Sequence, residues 1–244
     1  MTLPFDWLAA DWPAPDHVRS CVTTRSMGDS LPPYDAFNLG DHVDDDPRQV
    51  QANRDWLAQQ LDCTPAWLKQ VHGVEVVEAN PARVATADAC WSRTPGVACS
   101  IMTADCLPVL FTDRDGTCVA AAHAGWRSLV DGVLEQTLTA MQTDPGEVMA
   151  WLGPAIGPQV YEVGPEVREA FVSRHSAAVA AFVPSGRAGH WLADLYRLAR
   201  IRLEATGVDA VYGGGFCTQT DPRFYSYRRN AVTGRMATLI WLAG

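Results

Sequence analysis

Cys106, in Met102-Thr103-Ala104-Asp105-Cys106-Leu107-Pro108, and His123, in His123-Ala124-Gly125-Trp126-Arg127, flank two apolar runs joined by a polar turn at 112–117. Two such runs read as neighbouring strands, so a thiol at one strand edge can meet an imidazole at the next. His72, in Gln70-Val71-His72-Gly73, completes a Cys/His/His set. Three protein ligands leave a fourth position open, the arrangement that catalytic zinc requires. The same residues fit a Cys–His catalytic pair equally well, with Cys106 as nucleophile and His123 as its base.

Other residues could serve either chemistry. Asp105 is an ionisable group in an apolar strand–turn–strand segment, costly there unless used or paired, and is a candidate proton shuttle beside a ligand. Arg127 follows Trp126 at a helix start, where N–H groups and a guanidinium could bind an anion; a surface ion pair is the alternative. The run Phe224-Tyr225-Ser226-Tyr227-Arg228-Arg229 could stack Tyr227 on a planar ring while Arg228 and Arg229 reach phosphate or carboxylate. An edge strand with a solvated basic end explains that run as well. Phosphate-loop, dinucleotide-loop, HExxH and GxSxG motifs are missing, and Gly213-Gly214-Gly215 reads as a tight turn.

The elements that would position these residues follow from patterning. A strand is expected at 18–24, then a long loop at 25–46, then a helix opened by Pro47, capped by Asp46 and apolar at Val50, Trp56, Leu57 and Leu61. Short strands at 67–70 and 74–78 flank His72, and further strands fall at 96–102, 107–111, 118–122, 148–152, 208–212 and 236–241. The spacing of Leu129, Val133, Leu134, Leu138 and Met141 predicts one amphipathic helix, and 165–171 and 192–205 also look helical. Residues 153–158 form a rigid loop. With no linker or repeat, residues 1–244 read as one α/β domain with a mixed sheet.

Composition narrows the function classes. A formal charge of −9 over 244 residues argues against a broad nucleic-acid surface. The acidic run at 41–46 reads as a solvated loop without calcium-loop spacing. No signal peptide is expected at the start, Met1 to Pro15, and the longest uncharged stretch, 148–161, is too short and too broken by Gly and Pro to span a bilayer. Seven cysteines without CxxC pairs fit free thiols in a reducing cytoplasm. A monomer acting on a small molecule is expected.

Eight segments carry a family resemblance: Ala36-Phe37-Asn38-Leu39-Gly40; Asp45-Asp46-Pro47 with Asn53-Arg54; Gln70-Val71-His72-Gly73; Thr103-Ala104-Asp105-Cys106-Leu107-Pro108; His123-Ala124-Gly125-Trp126-Arg127; Gly153-Pro154-Ala155-Ile156-Gly157-Pro158; Tyr161-Glu162-Val163-Gly164; and Phe216-Cys217-Thr218 with Phe224-Tyr225-Ser226-Tyr227-Arg228-Arg229. In this order they resemble the YfiH/DUF152 family, also called the laccase-like multicopper polyphenol oxidase or peptidoglycan editing factor family. The resemblance implies a compact α/β fold related to the cysteine-hydrolase-like catalytic domain of a bacterial toxin. It also implies zinc at His72, Cys106 and His123. Family activities so implied are phosphorolysis of adenosine, inosine and methylthioadenosine, adenosine deamination, phenol oxidation, and removal of a wrong amino acid from a peptidoglycan precursor. Ser128 departs from the family's usual glycine, and serine there is expected to cap or start the following helix.

Three enzyme readings result. The first is a zinc-dependent purine nucleoside enzyme, in which Arg127, Arg228 or Arg229 holds phosphate and Tyr227 stacks on the base. The second is a Cys106–His123 amidohydrolase acting on a cell-wall precursor, with the Asn38 loop helping to bind substrate. The third is copper-dependent phenol oxidation with Met102 near a His₂Cys set, disfavoured because His17, His42, His175 and His190 lack matching motifs. A structural zinc in a binding module is disfavoured because such a site normally closes with four ligands. The triad, the Asn38 loop and residues 227–229 should share one cleft at one sheet edge.

Overall fold

Three consecutive strands, Val97–Thr103, Leu107–Asp113 and Val119–Ala124, are buried at every residue except Val97. Near-continuous apolar runs of this kind need cover on both faces. The computed structural model, which describes residue 3 and residues 6–244, supplies that cover in four layers. The expectation for the start of the chain rests partly on Met1, Thr2, Pro4 and Phe5, which lie outside the described residues.

The Leu107–Asp113 and Val119–Ala124 strands are central in a six-stranded sheet. Its order is Ala210–Gly213, Val148–Leu152, Leu107–Asp113, Val119–Ala124, Ala89–Ser92, Val76–Glu78. The outer pairs at both edges are parallel and the inner pairs antiparallel, so the sheet is mixed. On one face Leu107, Val109, Phe111, Ala120 and Ala122 pack with Leu134, Leu138, Leu198 and Leu203 of the covering helices. On the other, Leu110, Val119 and Ala121 meet Cys99, Ile101, Ile240 and Leu242.

Those last four residues belong to a second sheet, ordered Val18–Val22, Met236–Leu242, Val97–Thr103, Thr64–Ala66. Its far face, with Cys21, Ala98, Leu239 and Trp241, packs against Leu57 and Leu61 of the Pro47–Leu61 helix. Period-two alternation in both sheets thus produces a sandwich with helices outside it. The expected single mixed sheet is therefore two stacked sheets, with a three-stranded and a two-stranded ribbon beside them. The chain forms one α/β domain.

Local chemistry explains where the helices differ from expectation. The Asp46 side chain accepts from Arg48 N and caps the Pro47–Leu61 helix as expected. The segment from Leu129 to Met141 is two helices, Trp126–Asp131 and Val133–Met141, broken at Gly132, whose φ of 106° continues neither. Ser128 lies inside the first of these, buried and with its hydroxyl unpaired, while Gly125 occupies the cap. The helix expected from 192 begins at Leu195, because Asp194 caps it and Trp191–Ala193 pairs as a strand with Phe182–Pro184 and Glu162–Val163. Among the described residues no helix is long and apolar enough to cross a membrane.

Candidate metal centre

The register that pairs Leu107 with Ala124 and Pro108 with His123 puts Cys106 and His123 at the same edge of the six-stranded sheet. His72 arrives from a turn after the Leu68–Lys69 strand. Gln70 ties that turn to the neighbouring sheet, donating to Met102 O and accepting from Met102 N, both at 2.8 Å. One ligand atom from each of His72, Cys106 and His123 lies within 4.8 Å of the others. Cys106 Sγ is 3.6 Å from His72 Nε2. A tetrahedral zinc with ordinary Zn–S and Zn–N bonds sets that edge at about 3.5 Å. One soft sulfur and two imidazole nitrogens suit zinc, and the Cys106–His72 edge is close to that length.

The group that builds this site is Asp88, which is fully buried. Its Oδ1 is 2.8 Å from His123 Nδ1 and accepts from His72 N at 2.9 Å. Its Oδ2 accepts from Val71 N and Gly73 N. Three successive backbone N–H groups cradle one carboxylate, a small anion nest. That nest holds His72 at a φ of 60°, in the left-handed region. Asp88 also fixes the His123 tautomer, keeping Nδ1–H toward the carboxylate and Nε2 free for Cys106 or a metal.

The electrostatics follow. Burial opposes the Cys106 thiolate, but the His123 imidazolium and hydrogen bonds from both histidines outweigh it and lower the thiol to about 6. Burial likewise opposes charge on His123, and the thiolate and Asp88 raise it to about 9. Four other cysteines contrast with this. Burial holds Cys63 at about 12 and Cys118 at about 11, and pushes Cys21 and Cys99 up as well.

Gly125 supplies the room. A Cβ there would lie 2.7 Å from His72 Cδ2 and 3.1 Å from Cys106 Sγ. Gly125→Ala is therefore expected to displace both ligands and lower metal content sharply while the protein stays folded. Metal analysis beside a circular-dichroism melt checks this; full occupancy would remove the packing argument.

Beside Cys106 opens a cleft lined by Ala104, Asp105, Cys106, Trp126, Ile156, Tyr161, Leu195, Tyr227 and Arg228. Asp105, at a φ of 91°, turns the chain so that Cys106 is partly exposed. Its carboxylate accepts from Thr218 Oγ1 and Arg228 N, both at 2.6 Å, so it pins residues 218–228 over the cleft. Arg228 stacks 5.3 Å from the Tyr161 ring centroid, and Arg127 stacks 4.4 Å from that of Trp126. Burial and the Cys106 thiolate raise the Tyr161 phenol, while both guanidiniums pull it back. Tyr227 is 57 % exposed at the rim.

Two residues expected at the substrate have their polar groups engaged within the fold. The Asn38 side chain is fully buried: Nδ2 donates to Gly40 O and Asp45 Oδ2, and Oδ1 accepts from Gly40 N and Arg235 N. Arg229 donates to the carbonyls of Thr218, Gln219, Asp221 and Phe224. A guanidinium gathering that many carbonyls braces a loop. Arg229→Ala is expected to lower the melting temperature by several degrees, with little change in phosphate dependence, as paired melts and kinetics would read out. Met102 is also not poised for a metal: its sulfur accepts from Arg54 Nη2, and the residue is 4 % exposed.

Asp88, Gly125, Trp126 and Tyr161 are site residues that spacing alone did not select. Asp88 was legible, since it is an ionisable residue within Ala87-Asp88-Ala89-Cys90 and the reasoning applied to Asp105 covers it. The Ala89–Ser92 strand, which Asp88 immediately precedes, has no counterpart among the strands expected from patterning.

Comparison with known proteins agrees over the whole chain. A purine nucleoside phosphorylase of Pseudomonas aeruginosa is 64 % identical over 237 residues, covering 97 % of this chain and 98 % of that protein. The Escherichia coli purine nucleoside phosphorylase YfiH is 52 % identical over 240 residues, covering 96 % and 98 %. The crystal structure of a Neisseria meningitidis protein superposes with a TM-score of 0.96 at 50 % identity, over 98 % of this chain and all of that one. A family model described as multi-copper polyphenol oxidoreductase laccase spans residues 19–243, so the chain belongs to that family, the one that also holds YfiH.

Proposed function

We propose that this chain is a zinc-dependent enzyme acting on purine nucleosides, cleaving adenosine, inosine and methylthioadenosine with phosphate and also deaminating adenosine. The observation that carries the reading is the His72–Cys106–His123 set, whose Cys106 lines a cleft with aromatic walls and the Arg228 cation. The names of the two close relatives support the substrate class.

Zinc held by His72, Cys106 and His123 would supply Lewis acidity beside the substrate. The rest is the work of the chain. Trp126 and Tyr161 offer flat faces for a purine, and Tyr227 can close over it from the rim. Arg127 and Arg228 hold negative charge near the sugar. In phosphorolysis a phosphate oxygen bonds to the anomeric carbon as the glycosidic C–N bond breaks. Its electron pair leaves with the base, which takes up a proton, giving a sugar 1-phosphate and free purine. In deamination water adds at the amino-bearing carbon and ammonia leaves. Asp105 keeps Arg228 and Thr218 in place during either reaction, and its carboxylate lies at the cleft wall, where it can serve as a proton shuttle.

A second reading is an amidohydrolase of cysteine-hydrolase type acting on a peptidoglycan precursor. The hydrogen-bonded line from Asp88 through His123 to Cys106, together with the lowered thiol, favours it. Copper-dependent phenol oxidation has less support: His72, Cys106 and His123 form the only such ligand group among the described residues, and Met102 faces Arg54. The test is to purify the protein with its native metal and offer it adenosine, inosine, methylthioadenosine, an aberrant muropeptide precursor and a phenol. Phosphate-dependent release of purine supports the first reading. Amide cleavage by metal-free protein would replace it with the second.

A further inference from the structure

Arg235 directly precedes the Met236–Leu242 strand. The antiparallel register that pairs Met236 with Thr103 sets it across from Ala104, in the turn that carries Asp105 and Cys106. Its guanidinium is tethered through one nitrogen: Nη1 donates to Thr233 O at 2.9 Å and Gly234 O at 3.1 Å. Nε and Nη2 have no partner among the described residues, and neither is sealed from solvent. Arg54 and Arg202, also withdrawn from solvent, each pair with a carboxylate, Asp41 and Glu135. Arg235 is half-buried and pairs with none among the described residues.

A withdrawn cation without a counter-ion is costly unless something anionic completes it. Burial lowers the Arg235 pKa, and the groups that support its charge are Cys106, Asp105, Tyr227 and Tyr34; the first three line the cleft. The two open donors, Nε and Nη2, form the side edge of the guanidinium, which meets two oxygens of one anion at once.

The surrounding sequence holds that edge in place. Asn38 Oδ1 accepts from Arg235 N at 2.8 Å, and Leu39 N donates to Arg235 O at 3.0 Å. Gly40 leaves room for the stem, since a Cβ there would lie 2.7 Å from Arg235 Cγ. The Asn38-Leu39-Gly40 segment, which offers no side chain to the cleft, therefore seats Arg235.

We propose that Arg235 holds inorganic phosphate at the metal cleft, seated by the Asn38–Gly40 segment; this rests on the phosphorolysis reading. The side edge takes two phosphate oxygens and leaves a third free to attack the sugar carbon. Arg228 lines the same cleft, stacked on Tyr161.

The test uses zinc-loaded protein and inorganic phosphate as the probe. Calorimetric titration gives phosphate affinity, and initial rates at saturating nucleoside give the KM for phosphate. Arg235→Gln should weaken both by about tenfold or more, the loss expected for a bidentate charge-assisted contact, with zinc content unchanged. Arg235→Lys keeps the charge without the fork and should fall between. Gly40→Ala, which leaves the guanidinium present but crowds its stem, should raise the phosphate KM more than the nucleoside KM. A folded, zinc-replete Arg235→Gln protein with wild-type phosphate affinity overturns the proposal, as does wild-type protein that binds no phosphate. Arg235-dependent phosphate binding without cleavage of any nucleoside would sink the phosphorolysis reading and leave the anion site standing.

Discussion

Cys106→Ala is expected to abolish tight metal binding and reduce turnover by about a thousandfold or more, the scale of losing a metal that polarises the reacting group. The only sulfur of the set is removed, leaving two imidazoles, His72 from a turn and His123 from the Val119–Ala124 strand. Metal analysis and kinetics on the same preparation read both effects. A chemical counterpart separates the two enzyme readings. Thiolate rises as pH passes the thiol pKa, so with Cys106 at about 6 the metal-free protein should be alkylated by iodoacetamide at pH 7, and zinc should protect it. Cys217 is also partly exposed with a lowered pKa, so the measurement belongs in a Cys217→Ser background. Cys21, Cys63, Cys99 and Cys118, buried with raised pKa values, should stay unmodified. Zinc retained in Cys106→Ala would end the metal assignment, and alkylation indifferent to zinc would shift weight to the nucleophile reading.

Asp88→Asn is expected to lower metal affinity by about 10- to 100-fold, the usual cost of losing the carboxylate that orients a ligating histidine. An amide keeps one acceptor oxygen but turns an NH₂ group toward donors. At least one of Val71 N, His72 N, Gly73 N and His123 Nδ1 then loses its partner. Asp88→Ala removes all four contacts from a fully buried position and should destabilise the fold by about 3–5 kcal/mol, the range for breaking a buried charged network. Equilibrium denaturation gives the second figure and a metal-competition titration the first. Unchanged zinc affinity in Asp88→Asn, with His123 still bound, would mean that the nest holds the turn without tuning the ligand.

Sequence alone fixed a good deal. Continuous apolar runs marked the strand that follows Cys106 and the one that leads to His123, because a strand covered on both faces must be apolar throughout. Pro47 behind Asp46 gave the first helix, because a cap and a fixed φ are local properties. The convergence of Cys106 and His123 was legible as well, since a hairpin turn brings the ends of neighbouring strands to one edge.

Tertiary structure decided what depends on contacts distant in sequence. Two stacked sheets replaced one because Met236–Leu242 pairs with strands far ahead of it, Val18–Val22 and Val97–Thr103, and no local pattern encodes a partner. Asn38 and Arg229 kept their importance but changed their task. Their hydrogen-bonding groups are engaged by Gly40, Asp45 and Arg235 in one case and by four loop carbonyls in the other. Arg235 shows the reverse: its sequence context suggested nothing, yet strand register sets it beside the Cys106 turn with two donors open. Residue type states which chemistry a side chain can perform; which groups already satisfy it is decided by what the fold packs around it.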